Sequence, residues 1–208
     1  MIHFNKPNIT KIDIKNLIKV CKSKFLTKTK FNSLTSKYLQ KKINSKYISL
    51  TQSGSDALEV AFHLLNLKKN DEVIVPSYTF SSTANAIVLA NGKPVFADIN
   101  SDDLCINLKK VEKLITKRTK AICLVHYGGN SCDMKHALYL KKKYNLKIIE
   151  DAAHALFSKY KNKYCGTIGD IGIFSFHETK NFTSAQGGAI SINNNIFIKR
   201  CKNIINKG

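Results

Sequence analysis

Arginine is nearly absent from this sequence: of 34 basic residues only Arg118 and Arg200 carry a guanidinium, and the rest are lysine. Nucleic-acid readers favour Arg for bidentate contacts and cluster it on one face beside aromatic rings. Here the lysines are scattered among abundant Ile and Asn. The formal charge of +20 is therefore read as a basic, solvated surface without a specific nucleic-acid site, and Lys141-Lys142-Lys143 as a wet helix face. Long apolar runs are also missing, since no stretch approaches the roughly 18 to 20 residues a membrane span needs. The opening Met1-Ile2-His3-Phe4-Asn5 lacks the basic-then-apolar layout of a signal peptide. The expectation is a cytoplasmic protein with no membrane partner. The six cysteines form no C-x-x-C pair and have no His at finger-like spacing, so they read as free, mostly buried thiols with no metal site. Cys132 and Cys165 are the two to watch for redox or metal chemistry. Internal repeats and low-complexity linkers are absent, and nothing marks a domain boundary.

What is present is the rhythm of βαβ units, and 208 residues with 43% hydrophobic content can bury a sizeable α/β core. Short β-branched runs predict strands at Tyr47 to Leu50, Glu72 to Val75, Val95 to Asp98, Ala121 to Val125, Lys147 to Glu150, Ile171 to Ser175 and Ala189 to Ile192. Seven strands make a full, mainly parallel sheet. Ala57, Val60, Ala61 and Leu64 recur at helical spacing, predicting a helix over Ser55 to Leu65. Further helices are expected at Ile12 to Cys21, Leu108 to Ile115, Met134 to Tyr144 and Ile196 to Lys207.

Four local features fall on strand ends or helix starts, where open α/β sheets place ligands. Ser53-Gly54-Ser55-Asp56 puts backbone N–H groups and hydroxyls at a helix start, which suits a phosphate but also suits an ordinary cap. Pro76-Ser77-Tyr78-Thr79-Phe80 offers an aromatic ring on a strand-to-helix loop, either to stack on a flat heterocycle or to pack on the sheet edge, with Phe80 the choice for stacking. Ile148-Ile149-Glu150-Asp151-Ala152-Ala153-His154 delivers carboxylates to the end of a buried strand, where each needs a partner such as a protonated ring nitrogen, although Glu150 could serve local structure instead. Ser175-Phe176-His177-Glu178-Thr179-Lys180-Asn181 follows an apolar strand, a setting that leaves a lysine amine free to attack an aldehyde.

Taken in this order, and together with Asp71-Glu72-Val73-Ile74-Val75-Pro76 and Gln186-Gly187-Gly188-Ala189-Ile190, these motifs resemble fold-type-I pyridoxal-phosphate enzymes, and more narrowly the DegT/DnrJ/EryC1/StrS sugar aminotransferases. The likeness runs from Phe4 to Gly208. It implies the α/β, three-layer large domain of that fold and pyridoxal 5′-phosphate as cofactor. It also implies that Lys180 carries the cofactor as a Schiff base and shuttles the proton, that Asp151 keeps the pyridine nitrogen protonated, and that His154 meets the phenolic oxygen. Phe80 would stack on the ring, and Gly54, Ser55 and Ser175 would cradle the phosphate. The implied reaction moves an amino group, with glutamate as donor, onto a nucleotide-linked 4-keto-6-deoxy sugar. Ser77 to Ala86, Val125 to Gly129 and His177 to Asn181 look most like the members that make dTDP-4-amino-4,6-dideoxygalactose for enterobacterial common antigen.

Two departures accompany the likeness. Where the family usually reads Gly-Glu-Gly-Gly, this chain has Ala185-Gln186-Gly187-Gly188, which bears on the substrate end of the site. Family members also continue past the point matching Gly208, adding a small C-terminal domain and a segment that completes the site of a partner subunit. The expectation is an N-terminal segment plus large domain over residues 1–208, with the small domain missing and a homodimer forming if that domain is supplied. Two alternatives stand beside the transaminase: a non-catalytic remnant of such an enzyme, and a sugar dehydratase, whose pattern puts histidine where Lys180 stands.

Overall fold

The computed structural model describes residues 6–27 and 30–207. Seven strands form one sheet: β1 (Tyr47–Thr51), β2 (Glu72–Pro76), β3 (Lys93–Ala97), β4 (Thr119–Val125), β5 (Lys147–Asp151), β8 (Ile171–Ser175) and β9 (Gly188–Ile192), in the order β1-β9-β8-β5-β4-β2-β3. The five from β3 to β8 run parallel, while β9 pairs antiparallel with both β8 and β1. The predicted seven-stranded, mainly parallel sheet is thus present. The central strands are mainly apolar and buried because helices cover both faces of the sheet. Pro94 lies in the edge strand β3, where a missing N–H is tolerated.

One layer is made by α3 (Gly54–Leu64), α4 (Ser81–Leu89) and α7 (Ile198–Lys207), which bury Ala57, Ala61, Phe62, Ile87 and Cys201 against Val73, Val75, Ile149, Ile171 and Ile190. The other comes from α5 (Leu108–Leu114) and α6 (Met134–Tyr144), whose Val111, Met134, Ala137 and Leu140 meet Ile74, Ile122, Leu124 and Ile148. Fully burying a side chain the size of Leu, Ile or Phe contributes roughly 1.5–3 kcal/mol of transfer free energy. The chain begins with α1 (Lys11–Ser23), closed by a Thr10–Asp13 capping box, and α2 (Lys30–Ile43). The sequence pattern does not predict α2, which docks Leu39 and Ile43 beside β1. It also misses the two-residue strands β6 (Lys159–Tyr160) and β7 (Lys163–Tyr164), a hairpin between β5 and β8.

Five cysteines are buried and Cys21 is exposed, matching the reading of free, mostly buried thiols. The lysine run of α6 departs from a merely wet face: Lys141 pairs with buried Asp170 at 2.8 Å and Lys143 with Glu112 at 2.8 Å. Among the described residues no helix is long and apolar enough to cross a membrane, and no group of three or more acidic, His or Cys side chains is placed to hold a metal.

Candidate active site

The C-terminal ends of β2, β4, β5 and β8 open onto a cavity of about 330 Å³. Gly54, Ser55, Phe80, Asp151, His154, Ser175 and Lys180, drawn from four separate segments, all line it. Thr79, Thr83, Tyr127, His177 and Gln186 join them.

The two carboxylates that end β5 separate because successive strand residues point to opposite faces. Glu150 turns away from the cavity. It accepts the backbone N–H groups of Gly166, Ile168 and Gly169 and the Nε2 of His126 at 2.9 Å, with both side chains fully buried. It is the structural carboxylate of the pair. Asp151 faces the cavity, accepting from the Thr83 hydroxyl at 3.0 Å and the Ala153 N–H at 3.1 Å. Among the described residues no cationic side chain ion-pairs with it. Burial accordingly lifts its carboxyl above the usual range, against the pull of these two donors. Thr83 is a site residue that motif reading misses: a Thr in a helix's first turn looks like a cap, and only the fold brings α4 against the end of β5.

Lys180 Nζ lies 3.0 Å from His154 Nε2, and burial depresses the amine's pKa, with Asp151 opposing. Burial also lowers the His154 pKa, reinforced by Lys180. At the other end of the cavity Ser53 caps α3 by accepting from the Asp56 N–H at 3.0 Å, so its hydroxyl is committed to the helix. Ser55 Oγ and Ser82 Oγ are 2.7 Å apart at the starts of α3 and α4. Gly54 is packed so closely that an added Cβ would sit 2.8 Å from the Ser175 Cβ. This floor of N–H groups and hydroxyls at a helix start suits a phosphate. Phe80 immediately precedes α4 and stands 73% exposed at the rim, free to lie over a bound ring. A flat, phosphorylated heterocycle with a basic ring nitrogen and an aldehyde fits this donor set, with a carboxylate, a cradle and an amine each in place.

The departure at Ala185-Gln186 also reads out in the backbone. Gln186 lines the cavity, and Ala185 holds φ 67°, the left-handed region that a glycine adopts freely and an alanine at a cost of roughly 1–2 kcal/mol.

The comparisons agree with this geometry. The model of the DegT/DnrJ/EryC1/StrS aminotransferase family matches residues 7–208. A UDP-4-amino-4,6-dideoxy-N-acetyl-beta-L-altrosamine transaminase from Campylobacter jejuni is 38% identical over 97% of this chain and 54% of its own length. The Helicobacter pylori aminotransferase PseC, involved in the biosynthesis of pseudoaminic acid, superposes with a TM-score of 0.94 at 32% identity, over 99% of this chain and 56% of that one. NtdA from Bacillus subtilis, solved with bound cofactor PMP, superposes with a TM-score of 0.83 at 32% identity, over 93% of this chain and 45% of that one. The chain thus spans about half the length of the curated relatives it matches. PMP is the amine form of pyridoxal phosphate, and pyridoxal phosphate is the cofactor to which these motifs belong. By sequence and by fold, the chain belongs to the DegT/DnrJ/EryC1/StrS aminotransferase family.

Proposed function

We propose that this chain is the cofactor-holding large domain of a sugar-nucleotide aminotransferase that moves an amino group from glutamate to a 4-keto-6-deoxy sugar, with dTDP-4-amino-4,6-dideoxygalactose as product. The observation that carries the reading is the meeting of Lys180, Asp151 and the Gly54–Ser55–Ser175 floor in one cavity. When bound, pyridoxal phosphate supplies an electron sink for charge that develops at the donor's α-carbon. Asp151 would hold a proton on the ring nitrogen, and its buried carboxylate would gain a cationic partner beside Thr83 and Ala153. Thr83 orients that carboxylate. Lys180 would anchor the cofactor covalently and carry a proton between the donor's α-carbon and C4′. Gly54, Ser55 and Ser175 would bind the phosphate, Phe80 would cover one ring face, and His154 would meet the phenolic oxygen.

The remainder of a family member's length would supply the small domain and the second subunit's share of the pocket, in a cytoplasmic homodimer. The dTDP-sugar reading rests on Ser77 to Ala86 and His177 to Asn181, and Gln186 bears on which sugar is accepted. Lys180 favours amino transfer over the dehydratase alternative. The test mixes the chain, completed by the C-terminal half of a family member, with pyridoxal phosphate, glutamate and 4-keto-6-deoxy sugars linked to dTDP, UDP or GDP. Formation of 2-oxoglutarate and the dTDP-linked 4-amino sugar is expected. Product from the UDP or GDP sugar alone would overturn the choice of sugar, and no 2-oxoglutarate despite bound cofactor would favour the non-catalytic remnant.

A further inference from the structure

His154 contacts two nitrogens at once, and their chemistry fixes where its proton sits. The backbone N–H of Gly128 points at His154 Nδ1 from 3.3 Å, and a backbone N–H can only donate. Nδ1 is therefore the acceptor, which leaves the proton of a neutral imidazole on Nε2. Nε2 is the atom 3.0 Å from Lys180 Nζ. An Nε2–H facing an ammonium would set donor against donor; facing an uncharged amine it meets a lone pair. The Tyr127 ring packs edge-on against the imidazole with centroids 5.5 Å apart and helps hold this orientation.

We infer that His154, locked as its Nε2–H tautomer by the Gly128 N–H, keeps the Lys180 amine uncharged in the cofactor-free chain, ready to bond the cofactor's aldehyde carbon. In the capture step the Nζ lone pair forms the C–N bond, and both amine hydrogens leave with the carbonyl oxygen as water. An ammonium has no lone pair and cannot begin. Burial acts on both groups in the same sense. The opposing influence is Asp151, whose negative charge favours the ammonium. His177, also at the cavity, is hydrogen-bonded through Nδ1 to Thr179 at 3.0 Å, and the Tyr127 hydroxyl donates to Tyr78 at 3.0 Å, while the amine's hydrogen bond is to His154. Glu178 lies in the same turn as Lys180.

This inference rests on the reading of Lys180 as the cofactor's anchor, and one experiment separates the two. Cofactor-free wild-type, His154→Gln and His154→Phe chains are mixed with stoichiometric pyridoxal phosphate across a pH series. The adduct is trapped with borohydride at timed intervals and mapped by peptide mass. In wild type, rapid adduct formation at Lys180 is expected at neutral pH. In His154→Gln, whose amide oxygen can accept from an ammonium, the capture midpoint should move up by about one pH unit or more, with capture at neutral pH slowed about tenfold. His154→Phe, which can neither donate nor accept, should shift in the same direction. Equal midpoints in all three chains would overturn the role given to His154 while leaving Lys180 as the anchor. A uniform slowing at every pH would also overturn it, marking His154 as structural. Absence of any Lys180 adduct in wild type would overturn the anchor assignment itself.

Discussion

Replacing Glu150 by glutamine should destabilise the chain far more than the loss of one charge suggests. Oε1 accepts from Ile168 and Gly169, and Oε2 from the Gly166 N–H at 2.8 Å and from His126 at 2.9 Å. His126 Nδ1 accepts the Cys132 N–H at 3.1 Å, so the ring proton is on Nε2 and His126 too is a donor. Four donors thus converge on one fully buried carboxylate. The amide introduced by Glu150→Gln keeps one oxygen and turns its NH₂ toward two of those donors. Two buried N–H groups then lose their acceptor, at about 1–3 kcal/mol each, for a total of about 2–6 kcal/mol. Against a total stability of roughly 5–15 kcal/mol this is a large share. Urea unfolding of the cofactor-free chain, followed by circular dichroism, should show a lower midpoint at unchanged slope. A loss below about 1 kcal/mol would refute the four-donor arrangement.

Three further outcomes follow from the cavity. Thr83→Val removes the hydroxyl donor to Asp151 while keeping shape, and should weaken pyridoxal phosphate retention about tenfold, measured by equilibrium dialysis, with the fold intact by circular dichroism. Gly54→Ala forces a Cβ against Ser175 and should weaken binding of pyridoxal phosphate more than that of pyridoxal, which has no phosphate to cradle; equal losses would contradict the cradle. The third concerns pH. Burial raises the folded-state pKa of Asp151, so its contribution to stability is present at low pH and is lost as pH rises through the raised value. Relative to Asp151→Asn, the cofactor-free wild type should therefore lose stability as pH rises above the ordinary carboxylate range, and saturating pyridoxal phosphate should reduce that loss. Urea midpoints for both chains across that pH rise check the sign.

The strands were legible because β-branched runs buried on both faces have few other ways to fold, and the site motifs because they sit where those strands end. What was not legible depends on distant partners or weak local signals. The stretch Lys30–Ile43 carries Asn, Ser and Thr at interior positions, which blurs its helical pattern until Leu39 and Ile43 find β1. The Lys159–Tyr164 hairpin has strands of two residues, too short to show a period. Residue chemistry alone left Glu150 between a ligand role and a structural one, while the family resemblance assigned the ring nitrogen to Asp151. Strand alternation separates them once β5 is placed, and His126, 24 residues away, is what identifies Glu150 as structural. The role of Thr83 within the Ser77 to Ala86 motif was not legible for the same reason, since its partner Asp151 lies 68 residues further on.

The central claim is that Lys180 is the residue through which this chain holds pyridoxal phosphate, and absorbance near the edge of the visible range tests it most directly. Wild-type chain titrated with the cofactor should develop a saturable band, and borohydride should fix the adduct on the peptide carrying Lys180. Lys180→Ala should show neither. A band of equal strength in Lys180→Ala, or none in the folded wild-type chain, would contradict the account.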